Sequence, residues 1–295
     1  MTKAPSFACE DNSIAAQLNW AAKSIQSADS SHTSFLLDAK ILLSHCLNCT
    51  TTYLHTWPEK ALLDSQLIQF RDLVEQRCIG HPVAHLIGYR DFWTLRLQVS
   101  NATLIPRPET ELLVEAALDL DLPSQTSVLD LGTGTGAIAL ALASEKSNWQ
   151  VMGVDKSPDA ILLATNNAIL NQLNWVQFRQ SDWFANIAQQ QFDLIVTNPP
   201  YVEQHSPYLT QGDVRFEPSS ALTSGMDGLD DIRFIIVQAR DYLTDSGWLL
   251  IEHGFEQGSE IRFLFESNAY VDIQTKADFN GLERVTMAKK AENDL

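Results

Sequence analysis

The chain of 295 residues reads as an α/β protein, a seven-stranded, mostly parallel sheet with an antiparallel edge strand, preceded by a small helical bundle. Helical periodicity with no strand pattern runs through residues 13–90. From about residue 127, apolar β-rich runs alternate with amphipathic helical stretches, the rhythm of a sheet covered on both faces. The last two strand patterns have only DFNGL between them, too short for a crossover helix, so they pair antiparallel at one edge.

In the first region SIAAQLNWAAKSI, SFLLDAKILLSHCL and SQLIQFRDLVEQRCIG place apolar residues at three- and four-residue spacings. Ser34 and Ser65 stand where N-caps belong, and Gly80 where a C′ glycine does. FWTLRLQVS then alternates like a hairpin strand, and in ATLIPRPETELL the prolines 106 and 108 precede a helix expected to begin near Glu109. Beyond this hinge come SVLDLG, WQVMGVD, VQFRQSD, FDLIVTN, GWLLIEHG, YVDIQTK and ERVTMAK as strands, with helices between most of them. The expected boundaries are 1–91 for the helical domain, 92–103 for a hairpin linker and 104–295 for the α/β domain.

With 45% hydrophobic and 19% charged residues, the composition is that of a globular protein with a sizeable core. The formal charge of −17 is uneven: residues 1–100 carry 9 acids and 8 bases, residues 101–295 carry 28 acids and 12 bases. Such a surface repels phosphate backbones and suits a basic protein partner, although ordinary solubility explains it equally well. The opening MTKAPSFACEDNS lacks the apolar core of a secretory leader, and no apolar run is long enough to span a bilayer, so a cytoplasmic location without membrane contact is expected. Four cysteines make no disulfide framework. Cys46 and Cys49 form a CxxC without the strand-to-helix setting of a redox pair or the second ligand pair of a zinc site, and read as buried or incidental thiols at a helix end. No metal is expected.

VLDLGTGTGAIALAL is a strand, a glycine turn and a helix. Gly132, Gly134 and Gly136, with Thr133 and Thr135 between them, let the backbone turn tightly and bring amides and a helix N-terminus against a ligand. Asp155, after the next strand, is placed to hold ribose hydroxyls. These features predict an adenosine-type ligand and leave a dinucleotide open, since Gly132-x-Gly134-x-x-Ala137 fits that fingerprint too. Asp130, just before the loop, could receive an ammonium group, which favours a methionine moiety over a pyrophosphate. Asp182 and Trp183, after the third strand, offer an acceptor for an exocyclic amine and a flat face for a purine.

The stretch DLIVTNPPYVEQ ends a strand in Asn198-Pro199-Pro200-Tyr201. Prolines carry no N–H and stiffen their neighbours, so the turn is rich in acceptors and poor in donors. A carboxamide or arylamine nitrogen is planar and nearly non-nucleophilic. The Asn198 side-chain oxygen and the Pro199 carbonyl could grip both its hydrogens and aim it at a methyl sulfonium, with Tyr201 as a flat wall.

NPPY at 198–201 and DLGTGTGAIALALASE at 130–145 resemble the class I S-adenosylmethionine-dependent amino-methyltransferases, which have a seven-stranded Rossmann-like domain. AHLIGYRDFW, LIPRPETE, QGDVRFEP, EHGFEQG and ERVT narrow the resemblance to the HemK/PrmC family of release factor glutamine methyltransferases, over nearly the whole chain. That resemblance implies methylation of the glutamine in the GGQ motif of class 1 peptide chain release factors, giving N(5)-methylglutamine. It implies S-adenosyl-L-methionine held by Gly132 to Gly136, Asp155, Trp183 and Asn198, and a substrate clamp formed by Asn198, Pro199, Pro200 and Tyr201. Arg107, Glu109 and Thr110 match a family segment near the cofactor pocket, and the helical domain is where the family meets its protein substrate.

Other readings fit less of the chain. An amino-methyltransferase acting on adenine in DNA or RNA would use the same clamp, but the sequence shows no cluster of lysine and arginine for a basic groove. A nicotinamide oxidoreductase would leave NPPY without a purpose. A non-catalytic binding module would leave both motifs without one.

Overall fold

The computed structural model describes residues 9–29, 34–188 and 190–292. Residues 1–8 of the segment read above for a leader lie outside these. The chain forms two compact units, one running up to Gly88 and including Thr210–Phe216, the other made of Tyr89–Leu209 and Glu217–Leu295.

The first unit holds α1 (Ile14–Ala28), α2 (Phe35–Leu47), α3 (Thr51–Thr56), α4 (Asp64–Cys78) and α5 (Val83–Ile87). Their apolar stripes meet in a core of Ile14, Ala21, Leu42, Leu43, Phe70 and Val74, each at most 1% exposed. Helices this short depend on such burial, because isolated helices of their length are marginal in water. Ser34 occupies the N-cap position of α2, yet its hydroxyl donates to Asp38 Oδ1 at 3.1 Å and makes no cap bond. Ser65 is not a cap: α4 starts one residue earlier, where the Gln66 side chain accepts from the Leu63 amide at 3.0 Å. A glutamine reaching back satisfies the amide that a serine cap would have served. Gly80 follows α4 with φ +100°, as a C′ glycine does. Burial pushes the Cys46 thiol up to about 11 and raises those of Cys49 and Cys78 as well. The buried Arg77 pairs with Asp38 and Asp213, both at 2.7 Å, and the second of these pairs ties the 210–216 segment to the helices.

The second unit opens with a two-stranded hairpin, β1 (Tyr89–Phe92) and β2 (Leu95–Gln98). A 3-10 turn over Pro108–Thr110 precedes α6 (Glu111–Leu118), so the α-helix itself starts two residues after Glu109. Next come β3 (Ser127–Leu131), α7 (Ala137–Glu145), β4 (Gln150–Asp155), α8 (Pro158–Leu170), β5 (Gln177–Gln180), β6 (Phe192–Thr197) and α9 (Asp230–Tyr242). β7 (Leu243–Glu252), α10 (Gly258–Ser267), β8 (Tyr270–Ala277) and β9 (Glu283–Lys290) complete the chain.

The strands form one seven-stranded sheet in the order β5-β4-β3-β6-β7-β9-β8. The first five are parallel, and β9 runs antiparallel to both its neighbours. The reversed strand thus lies one place in from the edge, and β8 forms the edge. Burial explains the choice: Val285, Thr286, Met287 and Ala288 of β9 are all buried, whereas most of β8 is exposed or half-buried. A polar strand at the rim is also a poorer template for edge-to-edge association. Alternate residues feed opposite faces. Val128, Leu194, Val196 and Leu250 pack with α6 and α7, while Leu129, Leu131, Ile195 and Ile251 pack with α9 and α10. Among the described residues no helix is long and apolar enough to cross a membrane.

Candidate active site

β3 sits at the switch point of the sheet. Leu131 is paired with Val154 of β4 on one side and with Thr197 of β6 on the other. The three strand ends therefore deliver Gly132, Asp155 and Asn198 to one place, the crevice where open α/β sheets bind ligands. A cleft there has about 920 Å³ between its walls, its open mouth included. Gly132, Thr133, Gly134, Thr135, Asp155, Asp182, Trp183, Asn198 and Pro200 line it, all residues singled out from the sequence.

Gly132, Gly134 and Gly136 have φ of +69°, +54° and +83°. At Gly136, which caps α7, a Cβ would also stand 3.1 Å from the Phe178 ring and 3.2 Å from Ala164 and Leu140, so the glycine lets the helix start lie directly on α8 and β5. Asp155 braces the loop: Oδ2 accepts from the Gly134 amide at 3.0 Å and Oδ1 from Ser157 at 2.9 Å. Each carboxylate oxygen keeps a lone pair for a hydroxyl in the cleft. The Trp183 indole, anchored by Nε1 donation to Asp231 Oδ1 at 3.2 Å, presents its ring beside Gly132.

Asp130 departs from its expected place. It is fully buried and absent from the cleft wall; Oδ2 accepts from Thr133 Oγ1 at 2.6 Å and from the Ala139 amide at 3.2 Å, and Oδ1 has no partner. Burial pushes its carboxyl up to about 7, against the pull of those two hydrogen bonds. Its position under the loop suits it to shape the turn and not to meet an ammonium directly.

At the other wall, Asn198 Nδ2 donates to Thr110 Oγ1 at 3.2 Å. Among the described residues no donor meets the Asn198 side-chain oxygen or the Pro199 carbonyl. Pro199 is buried and does not line the cleft. Tyr201, expected as a flat wall, is not a lining residue either: it packs on the α9 and α10 face of the sheet, and burial raises its hydroxyl. Its carbonyl accepts from Gln257 Nε2 at 3.0 Å. Of the IPRPET segment only Pro106 and Thr110 line the cleft. Arg107 forks onto the buried Glu217 at 2.8 and 2.9 Å, and Glu109 is exposed.

Several contributors were not assigned from the sequence. Thr103 and Leu104 on one side, and Ser220 and Ala221 on the other, complete the cleft. Gln257, Asp231 and Glu252 support it from behind. Gln257 and Glu252 belong to EHGFEQG, at the carboxyl end of β7 next to β6. The EHGFEQG block, one of those that carry the family resemblance, was the signal that could have found them.

The left-handed glycine cradle, an acid at the end of β4, an aromatic face and an acceptor-rich turn at the switch point fit S-adenosylmethionine. Together with the fold, they define an S-adenosylmethionine-dependent methyltransferase. The family model for the PrmC N-terminal domain matches residues 16–88, and that for the Methyltransferase small domain matches residues 108–214. The release factor glutamine methyltransferase of Shewanella oneidensis is 50% identical over 280 residues, 95% of this chain and 97% of its own length. Its counterpart from Aliivibrio fischeri is 48% identical over 254 residues, 86% and 89% of the two chains. A solved methyltransferase of Pyrococcus furiosus, 16% identical, superimposes with a TM-score of 0.51 over 67% of this chain and 89% of its own, a likeness of fold alone. The chain belongs to the PrmC/HemK family of release factor glutamine methyltransferases.

Proposed function

We propose that this chain transfers a methyl group from S-adenosylmethionine to the side-chain amide nitrogen of the glutamine in the GGQ motif of class 1 peptide chain release factors, giving N(5)-methylglutamine. Relatives aligned over 86% and 95% of this chain are release factor glutamine methyltransferases, which supports the reading. The cofactor supplies an electrophilic methyl on a sulfonium. In this reading Gly132 to Gly136 let the backbone lie close against the cofactor, Asp155 accepts from ribose hydroxyls, and Trp183 with Asp182 holds the adenine.

The observation that carries the chemistry is the Asn198 amide. With Nδ2 committed to Thr110, its oxygen is left as an acceptor in the cleft wall. Asn198 Oδ1 in the cleft wall and the Pro199 carbonyl, set back from the lining and without a donor among the described residues, are the proposed grips for the two hydrogens of the glutamine amide. Holding both orients the nitrogen and favours the positive charge that develops on it. Pro200 stiffens the turn, and Tyr201 anchors it through its backbone to Gln257.

The helical unit up to Gly88, with Thr210–Phe216, is the proposed recognition domain for the release factor, and the unit that opens with the hairpin at 89–98, where the sequence predicts a linker over 92–103, is the proposed transfer domain. An acidic transfer domain suits a partner that works inside ribosomal RNA, with no direct contact to nucleic acid. Work on release factors is cytoplasmic, and so is the proposed location. Incubating a purified release factor with the protein and cofactor, followed by mass spectrometry, should add a single methyl to the GGQ glutamine. Transfer to DNA or RNA with none to protein would overturn the reading.

A further inference from the structure

Glu252 ends β7, and the pairing of Thr197 with Ile251 sets it beside Asn198. It is 2% exposed and does not line the cleft, so it is out of reach of a substrate. Its carboxyl lies near the Thr110 and Tyr201 hydroxyls, with Arg284 and Glu109 also close, and its Oε2 has no hydrogen-bond partner, which leaves an open acceptor beside Thr110. Burying a carboxyl group in this way costs stability that an apolar side chain would not. A merely structural residue is a poor explanation for it.

We propose that Glu252 is a positioning residue for the methyl transfer: by accepting from the Thr110 hydroxyl, it dictates which way round the Asn198 amide is held. The inference rests on the clamp reading of Asn198. An ionised carboxylate can only accept, so on this proposal Thr110 turns its one proton to Glu252. Thr110 then has only lone pairs for Asn198, which must answer with its NH2, as it does at 3.2 Å. The two orientations of an amide have nearly the same shape, and packing alone separates them poorly. In the flipped orientation an NH2 would face the substrate NH2, and the grip would be lost. The relay from Glu252 through Thr110 to Asn198 selects the productive one.

Steady-state kinetics with a release factor substrate test this on four variants of the full chain. Glu252→Gln can offer its own NH2 to Thr110 and free the Thr110 proton for the Asn198 oxygen; kcat should fall about tenfold or more while cofactor affinity holds. Thr110→Val should fall similarly, and Thr110→Ser, which keeps the hydroxyl, should recover most of that loss. The double variant Glu252→Gln/Thr110→Val should be no slower than the worse single, because both cut one relay. Losses that multiply, or a Glu252→Gln enzyme with normal kcat where Asn198→Ala is inactive, would overturn the inference and leave the clamp standing. Should Asn198→Ala itself turn over normally, the clamp reading falls and this inference with it. Melting curves accompany each variant, and if Glu252→Gln does not fold, Glu252→Asp, which keeps the carboxylate but draws it back from Thr110, takes its place: kcat should fall, and a normal kcat would overturn the inference.

Discussion

Asn198 Nδ2 and Thr110 Oγ1, 88 residues apart in sequence, meet at 3.2 Å and join the NPPY turn to the IPRPET segment across the mouth of the sheet. That bond leaves the Asn198 side-chain oxygen as an acceptor in the cleft wall. It separates what the two sides of the cleft do, and the separation can be measured.

Removing the acceptor should damage turnover much more than cofactor binding. Asn198→Ala is expected to lower kcat at least a hundredfold, about what one missing charge-stabilising group costs at an active site, and to change the dissociation constant of S-adenosylmethionine only a few-fold. Calorimetric titration beside single-turnover kinetics checks this. Equal losses in both would mean that Asn198 serves the cofactor.

Asp155 predicts the opposite pattern. Its carboxylate braces the Gly134 and Ser157 amides and faces the cleft. Asp155→Ala should weaken cofactor binding by roughly 2 kcal/mol or more, the worth of hydrogen bonds to a charged group. NADH, titrated into the unaltered protein, should not bind. Tight NADH binding would revive the dinucleotide alternative.

Stability and activity should respond to pH in opposite senses. Burial holds both Asp130 and Glu252 up to about 7, above the values they take in the unfolded chain. Between about pH 4 and pH 7 the unfolded state therefore binds fewer protons than the native state, so these groups make stability fall as pH rises through that window. Below it their contribution is fully present. Denaturant unfolding at several pH values should show the slope, and Glu252→Gln and Asp130→Asn should each flatten it. The orienting role of Glu252 needs the ionised form, so kcat/KM of the unaltered enzyme should climb through about pH 7. The groups facing that carboxyl, Thr110, Tyr201, Arg284 and Glu109, stay in place in the Asp130→Asn control. An activity profile without this acid limb would contradict the assignment.

Gly228 offers a test far from the cofactor loop. Its φ is +77°, and a Cβ there would collide with the Tyr201 carbonyl oxygen that Gln257 also grips. Gly228→Ala should destabilise the fold by about 2 kcal/mol or more through backbone strain and displacement. It should also lower kcat by moving the turn that carries Asn198. Thermal melts and kinetics on the same preparation would detect both, and an unchanged kcat would detach Gly228 from the turn's geometry.

Much of this enzyme was legible before any coordinate because its signals are local. Apolar spacing along α1, α2 and α4 declared a bundle, since a helix must bury its stripe whatever lies opposite. Three glycines between a strand and a helix declared a ligand loop, and two prolines after Asn198 declared a rigid acceptor turn. Each message is written within a few neighbouring residues, where backbone sterics and donor counts do not depend on the rest of the chain. The family resemblance those motifs carry assigned Gly132, Asp155 and Asn198 to one cofactor site.

Tertiary structure decided what depends on distant partners. Asp130 went under the loop when Thr133 and Ala139 offered it donors, and Tyr201 packed into the sheet face instead of the cleft. β9 took the inner place and β8 the rim because their burial differs. Glu252 became a buried neighbour of Thr110 only once β7 lay beside β6. Burial and hydrogen-bond pairing are properties of the assembled environment, and the protonation and orientation of a side chain follow from that environment, not from its neighbours in sequence.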